Sequence, residues 1–257
     1  MAPSLKNKSS TKRKRPVSIA DVLDAQERTS AKARATKRKP STNLAMRTES
    51  IKLLTNAAFR SIVSHGYHAT TLNDVAKAAG LTKGAIFFYF SSKEKMILHL
   101  LDVAEASTVD PLIVLMEELS ATAPEKIAEF FRHSSQHGID RPQELLCLIK
   151  ISVEFRNRGD AIDQRITQIY DRLYRCLEKI LEDGLVRGEL AEATPVRELA
   201  SMIIATHDGM MLEWYRHKPQ IDGSKLVRTV MNIFTRGTAT GEASRRTRAV
   251  DKLKSRL

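Results

Sequence analysis

The chain has 257 residues, 42% of them hydrophobic and 28% charged, with a formal net charge of +12. That length fits one or two domains with a buried core. No run of about eighteen apolar residues offers a membrane span, and the basic N-terminus lacks the apolar segment of a secretory signal. The two cysteines, Cys147 and Cys176, give neither a disulfide framework nor metal-ligand spacing, so a reducing, cytoplasmic setting is expected.

Residues 1–43 are rich in Lys, Ser, Thr and Ala, with K-R-K-R at 12–15 and K-R-K at 37–39. Apolar residues are too sparse there for a core, so a basic disordered arm is expected, with residues 19–38 transiently helical. Such an arm either contacts DNA phosphates or is a solvated tail. A first helix follows over about 44–65, with Ile51, Leu54, Ala58 and Ile62 on one face, and Gly66 ends it.

Residues 70–94 read T-T-L-N-D-V-A-K-A-A-G-L-T-K-G-A-I-F-F-Y-F-S-S-K-E. Thr71 and Asp74 have the spacing of a variant capping box. Val75, Ala78 and Ala79 give a small apolar face, and Gly80 ends the helix with a left-handed residue. Leu81 is expected to plug the core, and Thr82 to cap a short helix over 83–88. Ser91 and Glu94 suggest a second capping box opening a helix at Lys93, which runs to about Ser107 before a break or kink at Asp110-Pro111. Two helices joined by a tight Gly-containing turn form a helix-turn-helix, whose second helix enters the DNA major groove.

The remainder reads as helix throughout, over about 111–119, 124–137, 142–157, 161–183, 195–217 and 223–236, with glycines and prolines between segments or at their ends. The clearest stripe is Ile162, Ile166, Ile169, Leu173, Leu177 and Ile180. His133 and His137 have i, i+4 metal-ligand spacing without a third ligand, and read better as solvated or pocket-lining. Cys147 reads as a buried apolar residue. Arg156 and Arg158 read as a charged helix end. No Ser-His-Asp set, phosphate loop or carboxylate pair suggests catalysis, and no metal or cofactor is expected. Residues 101–236 hold 17 Lys/Arg against 22 Asp/Glu, whereas residues 1–46 hold 12 against 3. The positive charge thus lies in the tails and the N-terminal head, as in a DNA-reading end attached to a regulatory body. Residues 238–257 form a second basic tail, expected to be disordered.

The 70–94 run resembles the DNA-binding head of the TetR/AcrR family of bacterial transcriptional regulators. The matching positions are Thr71, Val75, Ala76, Ala79, Gly80, Lys83, Gly84, Tyr89, Phe90, Ser92, Lys93 and Glu94, and A-A-F-R-S-I-V-S-H-G-Y from Ala57 to Tyr67 matches upstream. The resemblance implies an all-α protein with a three-helix head over 44–107 and a helical ligand-binding and dimerisation body over 108–237. It implies that Thr82, Lys83, Gly84, Phe87, Phe88 and Tyr89 face DNA, that Lys93 meets a phosphate, and that Thr71 caps near the backbone. Many relatives carry Tyr and His where this chain has Phe87 and Phe88. Polar contacts are lost there, contact with a thymine methyl remains open, and Phe87 reads equally well as core.

The last two helices carry wide stripes that suit either core packing or, by the resemblance, a homodimer interface through Ile203, Met210, Trp214, Val230 and Phe234. The implied function is a one-component, ligand-responsive repressor, associated with the nucleoid, that binds a palindromic operator as a homodimer. Its partners are double-stranded DNA, a second copy and an unidentified small-molecule effector whose binding residues are unknown. Two rivals remain: an architectural protein that coats DNA with weak sequence preference, and a small-molecule-binding or catalytic helical protein whose head no longer binds an operator.

Overall fold

The computed structural model describes residues 19–217 and 220–238, with side-chain surroundings given between residues 44 and 234. These residues form ten α-helices and one π-turn, and no β-strand forms among them. Residues 52–257 make one compact unit and residues 1–51 another; the fold within the larger unit is what positions the candidate sites.

Helix α1 (Ile19–Ala69) is interrupted at Gly66, whose φ of 80° and ψ of 173° break the helical run where the sequence predicts its end. The arm expected to be disordered through residue 43 is helical from Ile19. Its Ala, Lys, Arg, Glu and Gln content favours helix, a preference independent of the apolar content on which the expectation rested. Residues 1–18 and 239–257 lie outside the described residues.

Helices α2 (Leu72–Ala78), α3 (Lys83–Tyr89) and α4 (Lys93–Ala104) follow in quick succession. Helix α4 is capped by Ser92, whose hydroxyl accepts from the Lys95 N–H at 3.1 Å. This replaces the box expected from Ser91 and Glu94, and Glu94 sits in the first turn, where a carboxylate suits the helix dipole. Of the break or kink expected at Asp110-Pro111, no break forms; the irregularity is a π-turn just before it. The chain runs from α4 through a π-turn (Glu105–Val109) straight into α5 (Asp110–Glu118). The Asp110 N–H bonds to the Glu105 carbonyl in the wider π pattern, so Pro111 enters at the start of α5, where its missing N–H costs nothing.

The body comprises α6 (Ala123–Asp140), α7 (Pro142–Glu154), α8 (Ala161–Val186), α9 (Val196–His217) and α10 (Gly223–Thr238). Helix α6 packs mainly on α10, and α8 on α9. Phe130 and Phe131 of α6, Leu177 and Leu181 of α8 and Ile203 of α9 share the core. Gly138 and Gly184, read as helix ends, lie inside α6 and α8, where neighbours pack closely against both and leave no room for a side chain at Gly184. A Cβ at Gly184 would fall 2.4 Å from Ala123 Cβ, and one at Gly138 would fall 3.1 Å from Met211 Sδ.

Candidate nucleic-acid interface and effector cavity

The helix-turn-helix is held by its own caps. Thr71 Oγ1 accepts from the Asp74 N–H at 3.2 Å and donates to Asp74 Oδ2 at 2.6 Å. At the other end of α2, Gly80 adopts a φ of 69°. The Leu81 N–H then bonds to the Ala76 carbonyl and the Gly80 N–H to the Lys77 carbonyl, the paired closure of a Schellman motif. Leu72, Val75 and Ala76 make the buried face of α2. Ala78 is exposed and Leu81 only half-buried, so the face lies one turn earlier than the sequence suggests. Thr82 caps α3 as expected, accepting from the Ala85 N–H at 3.2 Å.

Ile86, fully buried, anchors α3, and Phe90 closes the core behind it. Thr82, Lys83 and Gly84 are exposed on the outer face. Phe87 is 46% exposed and Phe88 63%, so the core alternative for Phe87 is not realised. Lys83 Nζ lies 5.9 Å from the Phe87 ring centroid, and Phe88 meets the half-buried Tyr89 edge-on at 5.1 Å. Thr71, Thr82, Lys83, Gly84, Phe87 and Phe88 therefore lie on exposed surface. Lys93 is more enclosed: Nζ sits 3.9 Å over the Tyr67 ring and donates to the His68 carbonyl at 3.4 Å. Burial lowers the Lys93 pKa against the opposing charge of Glu154.

A second set of contacts, which sequence reasoning missed, ties the end of α1 to the end of α7. Lys150 Nζ donates to the Val63 carbonyl at 2.7 Å, and Glu154 Oε2 accepts from the Tyr67 N–H at 3.2 Å. Tyr67 meets Phe155 edge-on at 4.7 Å, and Arg158, read as part of a charged helix end, stacks over Phe155 and lies 3.2 Å from His68 Nε2. The partners are about ninety residues apart in sequence, so no local pattern announces them. The π-turn is pinned as well. Glu105, 7% exposed, accepts from both Arg165 and Arg172 of α8. Asp102 and Asp110 pair with the same two arginines at 2.8 and 2.7 Å.

Within the body, two small cavities of about 40 and 30 Å3 share Ser134, Leu145 and His207 in their lining. Met210 and Trp214, expected at a dimer interface, line the larger cavity. Ile203 and Phe234, from the same expected interface, are buried in the protomer's own core, with Phe234 packed on Phe131 at 5.1 Å. Val230 packs partly against that core. The apolar side chains that α9 and α10 expose are Met202, at 54%, and Ile233, at 63%, with Tyr215 nearer the end of α9. His137 lines the smaller cavity, and no His, Cys, Asp and Glu grouping among the described residues could hold a metal. Cys147 is fully buried, which pushes its thiol up to about 12. Among the described residues no helix is long and apolar enough to cross a membrane.

Comparison with known proteins agrees with this geometry. Residues 54–100 match the family model described as "Bacterial regulatory proteins, tetR family", and residues 124–247 that of a "Tetracyclin repressor-like, C-terminal domain". The chain is 28% identical to the fatty acid metabolism regulator protein of Bacillus subtilis, over 71% of this chain and 92% of that protein. The crystal structure of the MbdR regulator from Azoarcus sp. CIB is 34% identical, with a TM-score of 0.68, and its whole chain is covered by 74% of this one. The FadR regulator of B. subtilis, solved with stearoyl-CoA, superposes with a TM-score of 0.62 at 24% identity, covering 73% of this chain and 98% of that one.

Proposed function

The chain belongs to the TetR family of bacterial transcriptional regulators, and we propose that it represses its target by docking α3 in the major groove of a palindromic operator as a homodimer. The head spans 44–107, the ligand-binding and dimerisation body 108–237, and the basic residues 1–43 and 238–257 flank them. The observation that carries this reading is the outer face of α3. Thr82, Lys83, Gly84, Phe87 and Phe88 stand exposed on a short helix that caps at both its own ends and those of α2 hold rigid. Lys83 reaches guanine acceptors or phosphate, the two Phe rings meet thymine methyls, and Gly84 permits close backbone approach. Tyr89 and Lys93 flank the contact, Lys93 from the capped start of α4, where a helix N-terminus favours a phosphate.

The homodimer forms through the outward faces of α9 and α10, centred on Met202 and Ile233 rather than on Ile203 and Phe234. One patch used twice gives the two-fold symmetry that a palindrome requires. The effector is a small molecule held in the body. Helix α4 is the lever, because Thr108 and Val109 of the π-turn at its end line the smaller cavity, while Lys93 starts the same helix beside the reading head. The ligand acts only through different affinities for the two body states. Regulation of this kind takes place in the cytoplasm, at the nucleoid. The test is a gel shift on the DNA upstream of the protein's own gene against random DNA. Tight binding to the first alone supports the reading, and equal binding to both favours the architectural rival.

A further inference from the structure

We propose that Lys150 and Glu154 of α7 are positioning residues for operator reading: they splint the break at the end of α1 and so fix the head on the body, without touching DNA. The inference rests on the reading of the chain as a homodimeric operator binder. It names residues outside the helix-turn-helix on which that binding depends.

The break lies at Gly66, whose φ of 80° interrupts α1. In an unbroken α-helix the Tyr67 N–H would pair with the Val63 carbonyl, four residues back. Helix α7 supplies a partner to each of these groups. Lys150 Nζ donates to the Val63 carbonyl at 2.7 Å, and Glu154 Oε2 accepts from the Tyr67 N–H at 3.2 Å. The two side chains are themselves four residues apart, so they leave one face of α7 at the spacing of the groups they meet. Each bond has a charged member and is stronger than a neutral one.

Further contacts close around the same connector. The Tyr67 ring meets Phe155 edge-on at 4.7 Å and carries Lys93 Nζ at 3.9 Å. His68 Nε2 lies 3.7 Å from Glu154 Oε1 and 3.2 Å from Arg158. Arg158 sits in a tight turn. Its N–H bonds to the Phe155 carbonyl at 3.3 Å, and Asn157 and Gly159 on either side have φ of 63° and 69°, a conformation Asn and Gly adopt more readily than other residues. Beyond the connector, the buried Thr70 donates its hydroxyl to the Gly66 carbonyl at 2.8 Å, and Thr71 caps α2. Helix α7 is anchored in turn, packed on α4 and α8 with Leu146, Cys147 and Ile151 buried. Gly66 alone is a permissive joint. A two-fold reader needs its recognition helices about 34–36 Å apart, and that separation is set only if each head is held to its body.

The test has two readouts, the first without DNA. Hydrogen exchange of the full-length chain is followed over residues 66–80, with residues 166–180 of α8 as the reference. Glu154→Ala and Lys150→Met should each raise exchange over 66–80 by at least about tenfold and leave the reference unchanged. Glu154→Gln, which keeps an acceptor for the Tyr67 N–H, should recover most of the protection. The second readout compares, by gel shift, an operator selected from a random duplex pool with the same operator carrying one extra base pair between half-sites, a displacement of about 3.4 Å. The parent should prefer the first by at least about tenfold, and both variants should reduce that ratio to within about threefold. A smaller folded fraction would weaken both duplexes equally and leave the ratio untouched. Unchanged exchange over 66–80, equal loosening of the α8 reference, or an unchanged spacing ratio would each overturn the proposal; if one variant does not fold, the other decides. A parent that selects no operator fails the regulator reading instead, and the exchange readout still decides the splint.

Discussion

Glu105→Gln tests whether the π-turn at the end of α4 is held by charge. Glu105 is 7% exposed and accepts from both Arg165 and Arg172. Removing one partner of a buried ion pair costs about 3–5 kcal/mol, which is an upper bound here. The Arg165 side chain is 25% exposed and keeps Asp102 at 2.8 Å, while that of Arg172 is 37% exposed and keeps Asp110 at 2.7 Å. The Gln oxygen still accepts one of the two bonds. What is lost is roughly one charge-assisted hydrogen bond, about 2 kcal/mol. For a domain of this size that lowers Tm by about 4–8 °C. The pH dependence follows from the carboxyl's shift. Burial alone pushes its pKa up, but the hydrogen bonds and charges of Arg165 and Arg172 outweigh burial and bring it below the ordinary value. A lowered carboxyl pKa stabilises fully above the unfolded value, about 4.3, and that stabilisation is lost as pH falls through the folded value. Urea unfolding at fixed protein concentration should therefore show parent and variant far apart at pH 7 and converging below about pH 4. Equal stability at pH 7, or a gap that does not narrow in acid, would refute the reasoning.

Lys83→Ala should weaken operator binding by about 1–3 kcal/mol in a gel-shift titration and relax the sequence preference, if the ammonium reads a base edge; unchanged affinity removes it from the interface. Met202→Glu and Ile233→Glu place charges on side chains that the protomer leaves exposed, so each should keep the protomer folded while light scattering reports monomers and operator binding falls. An unaltered dimer would place the interface elsewhere. Cys147, buried and with its thiol near 12, should resist thiol reagents at neutral pH until the chain is unfolded; fast labelling of the native protein at that residue would contradict its packing.

The head was legible in the sequence because its signals are local. Thr71, Gly80 and Thr82 act on backbone groups within five residues of themselves, and the α8 stripe needs only helical periodicity. The errors have physical causes. Ser91 and Ser92 are both competent caps, and a one-residue shift decides between Glu94 and Lys95 as the third position. Pro111 ends an α-helix but not a π-turn, and no propensity separates the two. Ile203 and Met202 are neighbours on a helix apolar on several sides. Which of them is buried depends on α6 and α8, which pack from sequence positions far away. The cavity and the contacts between α1 and α7 were illegible for the same reason: Tyr170 meets Asp208 across 38 residues, and Glu154 meets Tyr67 across 87.

The most direct measurement is selection of bound duplexes from a random DNA pool by the full-length chain. A homodimeric major-groove reader predicts an enriched inverted repeat, with half-sites about one helical turn or a multiple of it apart, and loss of that enrichment with Lys83→Ala. Enrichment of no motif, or of a single unpaired half-site by a dimeric protein, would contradict the account.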